Sequence, residues 1–415
     1  MESMSFEEML ANDFRAGVSP PRRLQSGECQ SATGQTCSLC NASALEYEAE
    51  LRIKNAVLKD FWSAHSLPGD LQAIIPSPRG RAYRTVSKRK AVSTRQGPLL
   101  TLLAPDDRGK VGPLPIVSCA IEPPEHARIF GQIGNDLQRH ADSPLAASLQ
   151  YVIIKGNYRE FTVILNVESM SGPLVKAANA LSKALTRAVP SVVGFFLYED
   201  ESAGGYYLGG TARKRRPTLQ RLFGKESIHQ NILGKHFLFS PLSFSQVNLS
   251  IAETLVTTAG SLLGEGGKGT LYDLYCGYGL FAICLSASAG QVVGTEIQHD
   301  SIEAARENAK RNRVTNARFL QNEITADGME RLLRSIHPES TALLDPPRGG
   351  TAEGVIESIA LRKLRRVVHI FCNIEIVAQE LHRWELSGYV VGRVIPLDMF
   401  PGTNSIEIMA EMTKR

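Results

Sequence analysis

The sequence has no run of about 18 or more apolar residues, so no membrane-spanning helix is expected. Met1 to Gln30 is acidic and polar and lacks an apolar stretch of the kind a secretory signal carries, which directs the reading to a cytoplasmic protein. Seven cysteines without such a leader belong in a reducing compartment, where disulfides are not expected and thiols serve as ligands, nucleophiles or packing groups. There is no internal repeat. No histidine accompanies the N-terminal cysteines, and no acid interrupts the stretch from Thr211 to Lys225.

The 415 residues, 43% of them hydrophobic, suffice for two or three domains with a sizeable core. The formal charge of +4 is modest but uneven. Arg79 to Lys110 carries nine Lys/Arg against two acids, and Thr211 to Lys225 carries six, centred on Arg213-Lys214-Arg215-Arg216. Two such runs are the electrostatic footprint of a polyphosphate partner, which points to nucleic acid; no membrane or obligate protein partner is evident, and a monomer is expected.

Four regions follow from the pattern. Residues 1–28 read as a disordered tail. Residues 29–66 hold a cysteine cluster and a helix whose apolar positions Leu45, Leu51, Ile53, Val57, Leu58, Phe61 and Trp62 recur at about 3.6 residues. Residues 67–239 carry short β-rich runs such as Gln150–Ile154 and Phe161–Leu165, with a helix from about Pro173 to Ala188, and read as a central α+β domain. From 240 to 415 strands and helices alternate and end in a hairpin, over about 389–397 and 404–412. That pattern predicts an α/β, Rossmann-like sheet with a terminal antiparallel hairpin, as in class I methyltransferases.

Within this last region Asp273-Leu274-Tyr275-Cys276-Gly277-Tyr278-Gly279 joins a strand to a helix. Gly277 and Gly279 let the turn approach a ligand closely. Glu296 ends the next strand, where a carboxylate can accept bonds from ribose hydroxyls. Gly277-x-Gly279-x-x-Ala282 also fits a dinucleotide fingerprint, so an NAD(P)-dependent oxidoreductase is the rival reading. Asp273, placed to meet the cationic methionine end of S-adenosylmethionine, and the motifs downstream favour the methyl donor. Cys276 and Cys284 read as packing residues.

Asp345-Pro346-Pro347-Arg348 follows the apolar run Ala342–Leu344 at a strand's C-terminal edge, where ligands of such sheets bind, and its prolines stiffen the turn. Enzymes that methylate exocyclic amines often end this turn in an aromatic residue. Arg348 stands there instead, which leaves room for ring-carbon chemistry. Uracil C5 is a weak nucleophile. A thiolate adding to C6 generates an enolate that can take up a methyl group, after which the C5 proton must leave. The reaction needs a nucleophilic cysteine and a base, and Cys372, after the strand Val367–Phe371, and Glu407 are the candidates.

In this order the motifs resemble the RNA uracil-C5 methyltransferase family, from Cys29 to the C-terminus and most weakly between about Ala120 and Phe239. Phe244-Ser245-Gln246-Val247-Asn248 resembles F-F-Q-x-N, which implies that Gln246 contacts S-adenosylmethionine. The glycine loop, with Tyr275, is similar to D-L-[YF]-C-G-x-G. Asp345 to Gly350 resembles [DN]-P-P-R-x-G, Phe371-Cys372-Asn373 resembles S-C-N, and Met399 to Glu407 resembles M-F-P-H-T-x-H-x-E. The resemblance implies Cys372 as nucleophile, Glu407 as base, and Gln246, Asp273, Tyr275, Gly277, Gly279, Glu296 and Asp345 around the methyl donor. Ser405 stands in place of a histidine beside the base, Ile374 in place of Pro or Ala, and Glu323 near the usual Asp of the adenine pocket.

Cys29, Cys37 and Cys40, with the distant Cys119, fit zinc or an iron–sulfur cluster by spacing, and the missing histidine favours all-thiolate ligation. The resemblance implies a [4Fe-4S] cluster on these four, with no redox step in methylation. It points to the shorter iron–sulfur branch that acts on 23S rRNA at uracil-747 and lacks the N-terminal barrel of longer relatives, with another 23S rRNA site or tRNA as the alternative target.

Overall fold

The computed structural model describes residues 4–16, 22–24, 27–31, 34, 36–105, 110–200, 218–264, 267–334 and 336–415. The first two helices are α1 (Phe6–Ala16) and α2 (Tyr47–Ala64). The stretch read as a tail therefore contains a helix. Phe6, Leu10 and Phe14, four residues apart, form an apolar stripe that is buried beside Phe61 of α2, and this contact supplies the stability an 11-residue helix lacks alone. α2 buries Val57, Leu58, Phe61 and Trp62 as its periodicity predicts, but it also buries Glu50 and Lys54.

The strands up to the central sheet are β1 (Asp70–Leu71), β2 (Val86–Val92), β3 (Leu99–Pro105), β4 (Val111–Leu114), β5 (Leu149–Gly156), β6 (Phe161–Val167), β7 (Val192–Glu199) and β8 (Thr218–Gly224); helices α3 (Pro124–Arg139), α4 (Pro144–Ser148) and α5 (Gly172–Ala188) lie between them. Sheet order is β4-β3-β2-β5-β6-β7-β8. β6 and β7 run parallel, joined by α5 as such a crossover requires, and the other neighbours are antiparallel. β5, β6 and β7 are buried on both faces, which explains their near-continuous apolar runs. α3 and α5 cover one face through Ile129, Ile133, Leu174 and Leu181.

A hairpin, β9 (Ile228–Ile232) and β10 (Lys235–Phe239), leads into the C-terminal sheet. Its strands are β11 (Thr270–Leu274), β12 (Gln291–Glu296), β13 (Ala317–Gln321), β14 (Thr341–Leu344), β15 (Arg366–Phe371), β16 (Tyr389–Leu397) and β17 (Glu407–Lys414), with α6 (Ala252–Leu263), α7 (Leu280–Cys284), α8 (His299–Arg311), α9 (Ala326–Leu332), α10 (Val355–Leu361) and α11 (Val377–Leu386). The order is β1-β16-β17-β15-β14-β11-β12-β13. β11 to β15 are parallel, and β17 is inserted antiparallel between β15 and β16. One face packs on α1, α2 and α9 to α11, the other on α6 to α8. Strand order reverses between β11 and β14, the position at which open sheets of this kind bind ligands. Among the described residues, no helix is long and apolar enough to cross a membrane.

Candidate active site

The turn after β11 depends on three residues with left-handed backbone: Tyr275 at φ +65°, Gly277 at +52° and Gly279 at +85°. A Cβ on Gly279 would press within 3.2 Å of Ile283, Ala305 and Phe319, whereas one on Gly277 would meet nothing within 4 Å. Gly279 thus serves packing, and Gly277 leaves an open cradle. Asp273 is fully buried. Its Oδ2 accepts a 2.8 Å hydrogen bond from Ala282 N, and its Oδ1 has no partner. Glu296, at the end of β12, accepts from Gly277 N at 3.3 Å and from Gln298 N at 2.9 Å.

The second half of the site follows from strand register. In the antiparallel β15–β17 pair Phe371 lies opposite Ile408, so one further step sets Cys372 opposite Glu407. In the parallel β14–β15 pair Leu344 lies opposite His369, which brings the turn at Asp345 to the same edge. The two turns are bonded together. The Cys372 thiol donates to Pro346 O at 3.9 Å, and Asn373 Nδ2 donates to Arg348 O at 3.1 Å. Asp345 N in turn donates to Leu274 O at 3.3 Å, joining this turn to the glycine loop.

These groups are rich in carboxyls. Burial, then Asp345 and Glu296, push Asp273 up to about 8 although Ala282 N opposes them. Burial and then Glu296 push Asp345 up to about 7, and burial with Asp345 raises Glu407 well above the carboxylate range. Burial, then Glu407 and Asp345, push the Cys372 thiol up to about 11 against the pull of Arg348. A cationic ligand placed here would relieve all four at once.

Gln246 is buried in the linker between the two sheets. That linker is fixed from several sides. Thr85 donates through N and Oγ1 to Val247 O at 2.8 and 3.0 Å; Asn248 Nδ2 donates to Ser77 Oγ and Met399 O, each at 3.0 Å. Just upstream, the buried Lys155 ammonium donates to the carbonyls of Ser240, Pro241 and Ser243. Sequence reasoning passed over Lys155, and its only signal is a lone cation ending an apolar strand.

Cys29, Cys37, Cys40 and Cys119 share one cluster with Ala42, Tyr83, Leu114 and Ile121, and all seven cysteines are free. Burial raises all four thiols, Cys40 to about 12, and each has another of the set or a nearby carboxylate raising it further. Cys29 N donates to Ser118 O at 2.9 Å and Cys37 N to Cys29 O at 2.8 Å, which fastens the N-terminal loop to the segment that bears Cys119. The donor set suits all-thiolate ligation, yet among the described residues no three or more His, Cys, Asp or Glu side chains form a metal-holding group. Cys276 is buried in the sheet core, and Cys284 packs at its margin. The basic stretch Arg213–Arg216 lies outside the described residues.

A sequence model of the tRNA (uracil-5-)-methyltransferase family matches residues 206–415, half of the chain. An RNA methyltransferase of Clostridium tetani described as uncharacterized is 25% identical over 92% of this chain and 83% of its own length. A similarly described one from Geobacter sulfurreducens is 27% identical over 96% and 79%. Among solved structures, the tRNA (uracil-54, C5)-methyltransferase of Pyrococcus abyssi in complex with S-adenosyl-L-homocysteine superposes with a TM-score of 0.67 at 21% identity, over 91% of this chain and 87% of that one. That likeness is one of fold. The chain belongs to the uracil-5-methyltransferase family: it is a transferase that methylates RNA with S-adenosylmethionine, which displaces the oxidoreductase reading.

Proposed function

We propose that this family member methylates C5 of a uracil in 23S rRNA through a covalent adduct on Cys372. What carries the reading is the register that sets Cys372 opposite Glu407, with the Asp345 turn bonded to the thiol. Cys372 Sγ adds to C6 and moves the ring's electrons toward C5. S-adenosylmethionine, when bound, supplies the methyl group that C5 takes up. Glu407 then removes the C5 proton; the C5=C6 bond reforms and the C6–S bond breaks. Arg348 faces the thiol and favours the thiolate, and Asp345 holds the base edge. The unpartnered Asp273 Oδ1 and the open Gly277 fit the cationic end of the donor, with Tyr275 and Gly279 shaping the turn, Glu296 at the ribose and Gln246 closing the linker side.

Cys29, Cys37, Cys40 and Cys119 would hold a [4Fe-4S] cluster that fastens the N-terminal segment to a central RNA-binding domain spanning residues 67–239. The all-cysteine set supports the 23S rRNA branch of the family. Methyl transfer from tritium-labelled donor tests the mechanism: Cys372→Ala should bind donor normally and transfer nothing to uracil C5, and normal transfer by that variant would end the proposal. Mass mapping of methyluridine in RNA from a deletion strain tests the target. Loss from tRNA with 23S rRNA intact would overturn the rRNA assignment.

A further inference from the structure

Glu407 follows a loop, Asp398 to Ser405, that runs back over the N-terminal segment. Helix α2 presents two charges on its buried face, where an amphipathic helix ordinarily presents apolar groups. Lys54 Nζ donates to Glu50 Oε1 at 2.8 Å, to Asp398 Oδ1 at 2.9 Å and to Phe400 O at 3.4 Å. Lys54, Glu50 and Asp398 are each 0% exposed. Glu50 Oε1 accepts from Gly402 N at 2.5 Å, and Glu50 Oε2 accepts from Arg81 at 3.0 Å. Next to Cys40, Asn41 Nδ2 donates to Asn404 Oδ1 at 2.9 Å and Asn41 N donates to Gly402 O at 2.6 Å. The loop is thus held at residues 398, 400, 402 and 404 by a segment more than 340 positions away in sequence.

We propose that Lys54 is a positioning residue for proton removal. Through Asp398, Phe400 and the Glu50–Gly402 bond it fixes the loop that delivers Glu407 to its place opposite Cys372. The arrangement is a costly way to pack a helix, because buried ions seldom stabilise more than apolar side chains of the same volume. What it gives is geometry: three bonds at defined points of the loop between β16 and β17, beside those that Asp398 N donates to Ile75 O and Asn248 Nδ2 donates to Met399 O. The proposal rests on the reading of Glu407 as the base.

The chemistry gives it a specific signature. Thiol addition and methyl uptake precede proton removal, so an enzyme with a displaced base stalls after the C–S bond has formed, and an RNA–protein adduct builds up. The experiment compares Lys54→Met, Asp398→Asn and Asn41→Ala with Glu407→Gln. It uses full-length protein and an ordinary uridine-containing RNA substrate, and it reads kcat, KM and SDS-stable adduct. A misplacement of about 1 Å costs roughly 100-fold in rate. Lys54→Met is expected to lose about that factor in kcat, with KM and donor affinity within about twofold, and to accumulate adduct as Glu407→Gln does. Asn41→Ala should show the same pattern more weakly. If Lys54→Met fails to fold, Asp398→Asn, which keeps the side chain's shape but removes the charge paired with Lys54, carries the test and should show the same loss of kcat and the same adduct. Adduct in Glu407→Gln but in none of the others, or a loss spread equally over binding and both chemical steps, overturns the positioning role. No adduct in Glu407→Gln overturns the assignment of the base instead.

Discussion

Binding of S-adenosylmethionine should release protons, and Asp273→Asn should lower that release by Asp273's own share. In the free protein, burial first, and Asp345 and Glu296 after it, hold Asp273 up to about 8. At pH 7 such a group is about 90% protonated. A sulfonium beside the unpartnered Oδ1 favours the carboxylate and returns the group toward its ordinary range, so about 0.9 proton leaves per ligand bound. Asp345, pushed up to about 7, adds up to about half a proton. Affinity should therefore rise roughly tenfold or more from pH 6 to 7 and level off above 8. Calorimetric titration at pH 7 in phosphate and in Tris reads the release directly, because the observed enthalpies differ by the proton count times the difference in buffer ionisation enthalpy. The Asn variant should lose about 0.9 proton and more than half of the pH slope. Its stability should change in the opposite sense. Asp273 has a folded-state value above its ordinary 3.8, so the unfolded chain sheds the proton first, and the ligand-free protein loses stability as pH rises from about 4 to about 8. At pH 8 Asp273→Asn should melt above the wild type while binding the donor more weakly. Equal enthalpies in the two buffers, or undiminished proton release by Asp273→Asn, would refute the electrostatic reasoning.

Other outcomes follow from named contacts. Glu380 accepts from Thr351 N at 2.8 Å and Thr351 Oγ1 at 2.7 Å, and it faces His369 Nε2 at 3.2 Å, which fastens the segment after the Asp345 turn. Glu380→Ala leaves those donors buried and unpaired, so a urea midpoint should report a loss of about 2–4 kcal/mol with an unchanged m-value. Gly402 has φ +85°, and a Cβ there would come within 2.8 Å of Ala42 Cβ; Gly402→Ala should cost about 2–3 kcal/mol in the same assay, whereas Gly349→Ala should be nearly silent. Anaerobically purified protein should carry about four iron and four sulfide, with a visible absorption lost in Cys119→Ala. Stoichiometric zinc in a colourless protein would overturn the cluster.

Much of the C-terminal sheet is legible because β11, β12, β14 and β15 are short runs bounded by a turn and followed by a helical period. The apolar runs Ala342–Leu344 and Val367–Phe371 fall within β14 and β15, as the pattern predicts. The helix expected after the glycine loop is short, α7 followed by a 3-10 turn, Ser286–Ser288. α1 was missed because its apolar stripe has value only against Phe61, a contact that no local pattern reveals. α3 was missed among the central strands for a similar reason: Gly131, Gly134, Asn135 and Asp136 weaken its helical propensity, while Ile129, Ile133 and Leu137 bury it.

The site divides along the same line. Asp273, Asp345, Cys372 and Glu407 were legible because each occupies a short motif whose chemistry needs that residue type. The supports around them were not. Glu50 and Lys54 lie four residues apart on a helix, the spacing of an ordinary solvent-facing ion pair, and only the partner at Asp398 shows that they face inward. Lys155 and Glu380 are hidden the same way, each reaching a loop that its own neighbourhood in sequence does not mention. The antiparallel insertion of β17 explains why such supports are needed. A parallel sheet delivers its ligand-binding residues from strand C-termini, but β17 delivers Glu407 from its N-terminus, so the base sits where a loop enters a strand that is paired on both sides. The buried ion pairs under that loop add to the constraint that pairing with Leu397 gives Glu407. The loop that enters β17 has no such ladder along its own length, and α2 is the helix bonded to it at Asp398, Phe400 and Gly402.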